Sequence, residues 1–290
     1  MDSFENKVAV ITGAGSGLGR AFARRFAAAG MHLVLADVEE PALVAVVDEL
    51  SGGGTQVLGV PTDVSDADSM DRLGEAAFER FEQVNVLCNN AGVSGPSLPV
   101  AELSIADWQW VMGVNLWGVI HGHRVFQSHI MSHGDGHIVN TASMAAHTAF
   151  AGLAPYHVTK HAVWSLSESV YNELAAANSS VGISVLCPGF VNTRIAESDR
   201  NRPEQAGMAG LADPEEAELI RSMVREFFDA QQSPEPVAEA VFQAIVNKQF
   251  YVYTDDVWMH AIKERHEDVQ LARNPRPKGS MTEEAMRING

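Results

Sequence analysis

Residues 8–12, Val-Ala-Val-Ile-Thr, run directly into Gly13-Ala14-Gly15-Ser16-Gly17-Leu18-Gly19, and an apolar helical pattern then continues to residue 29 and stops at Gly30. A short apolar run closed by glycines reads as a buried strand, and a buried strand that turns tightly into a helix opens a parallel βαβ unit. Parallel strands need crossover helices that cover both faces of the sheet, so this one junction confines the chain to α/β architectures. The junction is also suited to a pyrophosphate. Glycines let the backbone come close, and the free N–H groups at a helix start point at the anion. The spacing is Gly13-x-x-x-Gly17-x-Gly19. The common dinucleotide fingerprint G-x-G-x-x-G is not met, because Gly13 and Gly15 would require a glycine where Leu18 stands.

The pattern then repeats. Apolar runs at 32–37, 56–60, 84–89, 137–141 and 183–187 alternate with helical stretches at 41–50, 66–81, 105–130 and 156–176. Such alternation predicts a doubly wound parallel sheet, and α/β chains of 290 residues commonly remain one domain. The regularity stops after Pro188-Gly189. Residues 190–213 are polar and rich in Gly, Pro and Arg. Asp213-Pro214 and Ser233-Pro234 each read as a helix cap followed by proline at the first helical position. Leu219, Ile220, Met223, Val224, Phe227 and Phe228 form one apolar stripe on the helix between them. The expected organisation is a dinucleotide-binding catalytic domain over 1–254, with a substrate cap at about 190–232. Within the cap, residues 195–212 are expected to be mobile around Gly207 and Gly210. A last strand falls at 250–253. Residues 255–290 form a C-terminal extension, packed on the domain or on a neighbouring subunit, whose tail beyond Asn274 is expected to be loosely held.

The chemistry sits in Tyr156-His157-Val158-Thr159-Lys160, with Ser143 thirteen residues upstream. A tyrosine and a lysine four apart share one helix face. An ammonium beside a phenol favours the phenolate and lowers its pKa from about 10, which makes a usable acid/base near neutral pH. With a nucleotide site on the same chain, that points to redox chemistry on an alcohol or a ketone. Asp37 closes the second strand, 24 residues after Gly13. A carboxylate there accepts hydrogen bonds from adenosine hydroxyls and repels a 2′-phosphate. The next residues, Val38, Glu39 and Glu40, include no cation, so NAD is expected rather than NADP.

In this order and at this spacing, Thr12-Gly13-x-x-x-Gly17-x-Gly19, Asp63-Val64, Asn89-Asn90-Ala91-Gly92, Asn115, Ser143, Tyr156-x-x-x-Lys160 and Pro188-Gly189 resemble the short-chain dehydrogenase/reductase family, in its form of about 250 residues. The resemblance covers roughly residues 5–195. It implies a Rossmann-like sheet and a catalytic tetrad of Asn115, Ser143, Tyr156 and Lys160. Tyr156 would take the alcohol proton as hydride leaves for the nicotinamide, and Ser143 would stabilise the charge on the substrate oxygen. Lys160 would tune the tyrosine and hold the nicotinamide ribose, and Asn115 would position a water linked to Lys160. It also implies cofactor contacts from Gly13, Ser16, Gly17, Leu18, Gly19 and Asp37, from Asp63 and Val64 at the adenine, and from Asn90, Ala91 and Gly92 in mid-sheet. Pro188, Gly189 and Thr193 would follow, with Thr193 at the nicotinamide carboxamide. His157 stands where the family more often has a small residue and is expected to point away from the site.

Other features bound the function. The net charge of −17 leaves no basic face for nucleic acid or an anionic membrane. Cys88 and Cys187 lie in apolar runs and read as buried thiols, which suits a reducing cytoplasm. The polar N-terminus is no signal peptide, and no run is long enough to span a bilayer. His121, His123, His129, His133 and His137 do not repeat a one-face ligand set, so no metal is expected. Trp108, Trp110 and Trp117 around Asn115 fit packing or a subunit interface, and family members commonly pair there, so a homodimer or homotetramer is expected. The pocket should be formed by 145–155 and 190–228, with Phe150, Leu153, Phe190, Ile195, Met208 and Leu211 and few fixed charges. The expected reaction is NAD-dependent, reversible oxidation of a fairly large lipophilic secondary alcohol. The alternative is an NADPH-dependent carbonyl reductase on the same scaffold. Arg194, Arg200 and Arg202 are the groups that would instead favour an anionic substrate.

Overall fold

The computed structural model describes residues 3–52, 54–203 and 214–279. Seven strands form one sheet: β1 (Val8–Thr12), β2 (His32–Asp37), β3 (Val57–Pro61), β4 (Val86–Asn89), β5 (His137–Thr141), β6 (Gly182–Cys187) and β7 (Tyr251–Tyr253). Their order is β3-β2-β1-β4-β5-β6-β7, and every neighbouring pair is parallel. The winding reverses between β1 and β4, which opens a crevice at their C-terminal ends, where ligands of such sheets bind. Thr12, Asn89, Thr141 and Cys187 all end strands on that edge.

Alternate side chains of each strand feed opposite faces, because the strand period is two. Ala9, Ile11, Leu33 and Leu35 pack with α1 (Gly17–Ala27), α2 (Glu40–Leu50) and, later in the chain, Val237, Val241 and Ile245. Val8, Val10, Val34 and Ala36 pack on the other face with α3 (Ala67–Arg80) and Phe126 and Ile130 of a long helical run, α4. α4 consists of the α-helical segments Ile105–Met112, Gly118–Gly122 and Ser128–His133, joined by π-helical turns at Gly113–Trp117 and His123–Gln127. The sequence reading of 105–130 as helix missed both π turns. Ser104 and Asp107 form a reciprocal capping box at its start.

α5 (Ala154–Ala176) begins two residues earlier than the sequence suggests, with Pro155 in its first turn. α6 (Pro214–Asp229) and α7 (Pro234–Asn247) start on the prolines that mark them, and α8 (Met259–Gln270) follows β7. Among the described residues beyond Asn274, the tail touches the domain at a few points. Arg276 pairs with Glu264, its Nε lies 3.4 Å from Asp268, and Ala151 N–H donates to Gly279 O at 3.4 Å. Gly207, Met208, Gly210 and Leu211, and so half of the expected mobile cap at 195–212, lie outside the described residues, as does the tail from 280. No helix among the described residues is long and apolar enough to cross a membrane.

Candidate active site

The glycine turn is built as its spacing requires. Gly13 adopts φ +65°, and a Cβ there would lie 2.8 Å from Ala91 Cα. A Cβ at Gly19 would lie 2.0 Å from Gly13 O, so no other residue fits while α1 leaves the turn at this angle. Ser16 precedes α1 and makes no side-chain cap bond, and no acidic residue stands in the first turn. The N–H groups of that turn are therefore available to a phosphate. Thr12 opens the glycine motif without a role assigned from sequence, and its hydroxyl knits this turn to the next strand. It donates to Cys88 O at 3.3 Å and accepts from Asn90 N at 2.9 Å and Ala91 N at 3.1 Å. Asn90 Nδ2 returns a bond to Thr12 O at 3.0 Å.

Asp37 lies at the end of β2 as expected. Its Oδ2 accepts from Gly15 N at 2.8 Å and its Oδ1 from Glu39 N at 2.9 Å. Burial pushes its carboxyl above the usual range, and the two amides oppose that. Each oxygen keeps one lone pair for a further donor. The expectation that no cation stands nearby fails in space. Arg200 Nε donates to Glu39 Oε1 at 2.8 Å, Asn201 Nδ2 donates to the same oxygen at 2.9 Å, and Arg194 lies 3.8 Å from Oε2. Arg202 pairs with buried Asp107 on α4. Asp63 holds its own turn with one oxygen, Oδ1 accepting from Ser65 N and Oγ at 2.9 and 2.7 Å, and lines the cleft. Val64 is buried, and its carbonyl pairs with His121 Nδ1 at 3.0 Å.

At the centre of the crevice, Ser143 follows β5 and Tyr156 and Lys160 project from α5. Ser143 and Tyr156 line the same cleft, and the serine hydroxyl favours the ionised phenol. The lysine behaves differently from the sequence expectation. Its Nζ donates to Thr141 O at 2.9 Å and sits 5.6 Å from the Tyr156 ring centroid. Burial is the largest influence on the phenol and pushes it above 10, with Ser143 pulling the other way. Burial also pushes the Lys160 ammonium down to about 8.

Asn115 lies in the first π turn of α4, fully buried. Its Oδ1 accepts from Val93 N at 2.8 Å, and Nδ2 donates to Val93 O at 2.9 Å and Thr159 Oγ1 at 3.2 Å. Both amide protons are committed, so the side chain braces the Gly92-Val93 backbone and α5, and the expected role in holding a water does not fall to those protons. A Cβ on Gly92 would lie 3.4 Å from Asn115 Oδ1 and 3.5 Å from Lys160 Nζ, which places all three together. Thr193 lies over the glycine turn, with Cγ2 3.0 Å from where a Gly17 Cβ would be.

A cleft of about 1610 Å³ joins these groups, lined from Asp37 past Gly13, Asn90 and Ser143 to Phe150, Leu153, Phe190 and Ile195. That exceeds a usual small-molecule pocket and suits a dinucleotide with a substrate beside it. The turn, the uncapped helix start and the free Asp37 lone pairs fit a nicotinamide dinucleotide.

A family model described as short chain dehydrogenase matches residues 7–204. The chain belongs to that family. It is 33% identical over 270 residues to a CLA biosynthesis dehydrogenase/reductase of Lactiplantibacillus plantarum, covering 91% of this chain and 93% of that one. It is 35% identical over 272 residues to a 1-deoxy-11-beta-hydroxypentalenate dehydrogenase of Streptomyces arenae, covering 88% and 89%. The crystal structure of a short chain dehydrogenase/reductase from Burkholderia phymatum in complex with NAD matches with a TM-score of 0.90 at 43% identity, covering 97% of this chain and 100% of that one.

Within this short-chain dehydrogenase, His157 does more than point away. Its Nε2 accepts from Phe150 N at 3.0 Å and its Nδ1 pairs with Ala145 O at 3.0 Å, so one buried imidazole fixes both ends of the loop that follows Ser143. Burial holds it below its usual pKa, and hence neutral. The other histidines are engaged by the protein: His133 Nε2 donates to Val84 O and His137 Nε2 pairs with Ser184 Oγ, while His129 Nε2 accepts from Val84 N.

Proposed function

We propose that this dehydrogenase oxidises a fairly large, lipophilic, uncharged secondary alcohol to its ketone, reversibly, with NAD as hydride acceptor. The observation that carries the reading is the convergence of Ser143, Tyr156 and Lys160 on one wall of a cleft that has Asp37 at its far end. When bound, NAD supplies the acceptor carbon and a positive ring that favours the tyrosinate. Tyr156 takes the carbinol proton on its phenolate oxygen, and returns it in the reverse direction. Ser143 donates to the substrate oxygen and relieves the charge that develops there. Lys160, anchored on Thr141 O, keeps further N–H bonds that would hold the nicotinamide ribose. Asn115 holds Val93 and Thr159 so that α5 and the Gly92 backbone keep their separation.

The alternative of NADPH-dependent carbonyl reduction draws support from Arg194 and Arg200, which reach the adenosine end of the cleft. Both are bound to Glu39, and a 2′-phosphate would have to displace that carboxylate beside Asp37. NAD is therefore the better reading. Initial rates with NAD and NADP separate the two, and a wild-type preference for NADPH overturns it. Tyr156→Phe should lose nearly all turnover with NAD binding close to wild type. Retention of more than about a tenth of the rate removes Tyr156 as the acid/base. The reading includes a cytoplasmic homodimer or homotetramer. Exposed Trp117, Val158 and Tyr171 on α4 and α5 suit a helix–helix interface, and the two free, buried thiols suit a reducing compartment.

A further inference from the structure

The segment after β7 does not leave the domain. Thr254 Oγ1 accepts from Gly189 N at 3.1 Å, so the chain is seated beneath the turn that follows β6. A Cβ on Gly189 would lie 3.1 Å from Trp258 Nε1. Trp258 is 4% exposed and stands between two rings of the substrate half of the cleft. Its centroid is 5.9 Å from Phe150, at 61°, and 5.6 Å from Phe190, at 60°. Phe190 continues the series to Phe227 at 4.9 Å and 89°, and to Phe228 at 5.9 Å and 82°. The rings come from four separate segments: the loop after β5, the turn after β6, α6 and the chain beyond β7. Further along, the extension returns to the same wall. Gly279 O accepts from Ala151 N, and Lys278 Nζ lies 5.8 Å from the Phe150 ring.

We infer that the chain beyond β7 completes the substrate site, and that Trp258 makes the wall selective for a flat aryl group carried near the carbinol carbon. The inference rests on the alcohol-dehydrogenase reading above. The rings already meet edge to face, and Phe190 and Phe227 remain half-buried at the cleft. A substrate ring joins that network with the same geometry. A saturated ring of equal size buries the same area without the aromatic contact, a difference worth about two- to tenfold in affinity. Removing the indole should abolish the difference, because Trp258 links Phe150 to Phe190 and fixes their tilt.

The test uses the full chain as wild type, Trp258→Leu and Trp258→Phe, with 1-phenyl-2-propanol and 1-cyclohexyl-2-propanol as substrates. Neither carbinol is conjugated, so intrinsic reactivity is matched. Wild type should favour the phenyl alcohol in kcat/KM by about three- to tenfold. Trp258→Phe should keep most of that ratio, and Trp258→Leu should bring it within twofold of unity. NAD affinity should stay within twofold throughout, which shows an intact fold. A wild-type ratio near one, or one that Trp258→Leu leaves unchanged, overturns the inference. A binding arm separates this from failure of the alcohol reading. In chain labelled with 5-fluorotryptophan, the resonance missing from Trp258→Phe should shift with phenylacetone and not with cyclohexylacetone. Turnover of neither alcohol, with that shift present, overturns the reaction and keeps the wall. Absence of the shift overturns the wall.

Discussion

Lys160 carries a buried ammonium whose pKa is held near 8, from a usual 10.5, by loss of hydration. For a lysine with a lowered folded pKa, the charged form is disfavoured in the native state. The unfolded chain then binds more protons between pH 8 and 10.5, and stability rises with pH across that window. That depression corresponds to roughly 3 kcal/mol of destabilisation at pH 7. Replacing the residue by methionine of similar reach removes that cost and gives up the bond to Thr141 O, worth about 1 kcal/mol. Lys160→Met, free of cofactor, should therefore be more stable at pH 7 by about 2 kcal/mol, or roughly 4–8 °C in melting temperature for a domain of this size. Urea unfolding at pH 7 and pH 9.5 measures it. By pH 9.5, about 1.5 units above the folded pKa, the wild type recovers about 2 kcal/mol, so the advantage should nearly vanish. A variant less stable than wild type at pH 7, or an advantage independent of pH, refutes the view that the cleft holds a desolvated charge at the expense of stability.

Glu39→Gln should remove the carboxylate that binds Arg200 and lies beside Arg194, and raise kcat/KM for NADP relative to NAD by about tenfold, since one charged hydrogen bond is worth about 1.5–3 kcal/mol. Initial rates with both cofactors read this, and an unchanged ratio rejects Glu39 as the group that sequesters them. His157→Leu should destabilise the fold by about 1–3 kcal/mol through the unpaired Phe150 N–H, and raise substrate KM several-fold while NAD affinity stays unchanged. An equal loss in NAD affinity would place His157 outside the substrate loop's support. Light scattering at micromolar concentration should give at least twice the chain mass, and a monomer refutes the interface on α4 and α5.

Strands and crossover helices were legible because their signals are local. The alternation of Ala9 and Ile11 with Val8 and Val10 follows from the pleat, and proline at 214 and 234 starts a helix wherever the chain goes next. The glycine turn and Tyr156-x-x-x-Lys160 were equally plain, because each packs its chemistry into a few residues. What the sequence concealed is long-range. Arg200 meets Glu39 across 161 positions, so a window following Asp37 contains no trace of it. Trp258 reaches the wall from beyond the last strand, and nothing in its neighbours marks it. The state of Lys160 was misread for a related reason. Helical spacing places a lysine near a tyrosine, but which carbonyl it binds and how dry its surroundings are depend on β5, not on α5.

The π turns of α4 carry a consequence for how this chain tolerates changes in length. Each is a turn with one residue more than an α-helix needs, and an α-helix advances about 100° per residue. Deleting a single residue within 113–117 would let that turn relax into ordinary helix. The helix beyond it would keep its facing on the sheet, because the wide turn is what absorbs the extra residue. His121 would still face Val64 O, whereas Asn115, inside the turn itself, would lose its aim at Val93. Such a deletion could leave a longer, more regular helix and an intact glycine turn, while the middle of the crevice loses its brace. In this helix, residue count is as much a determinant of the cleft as residue identity.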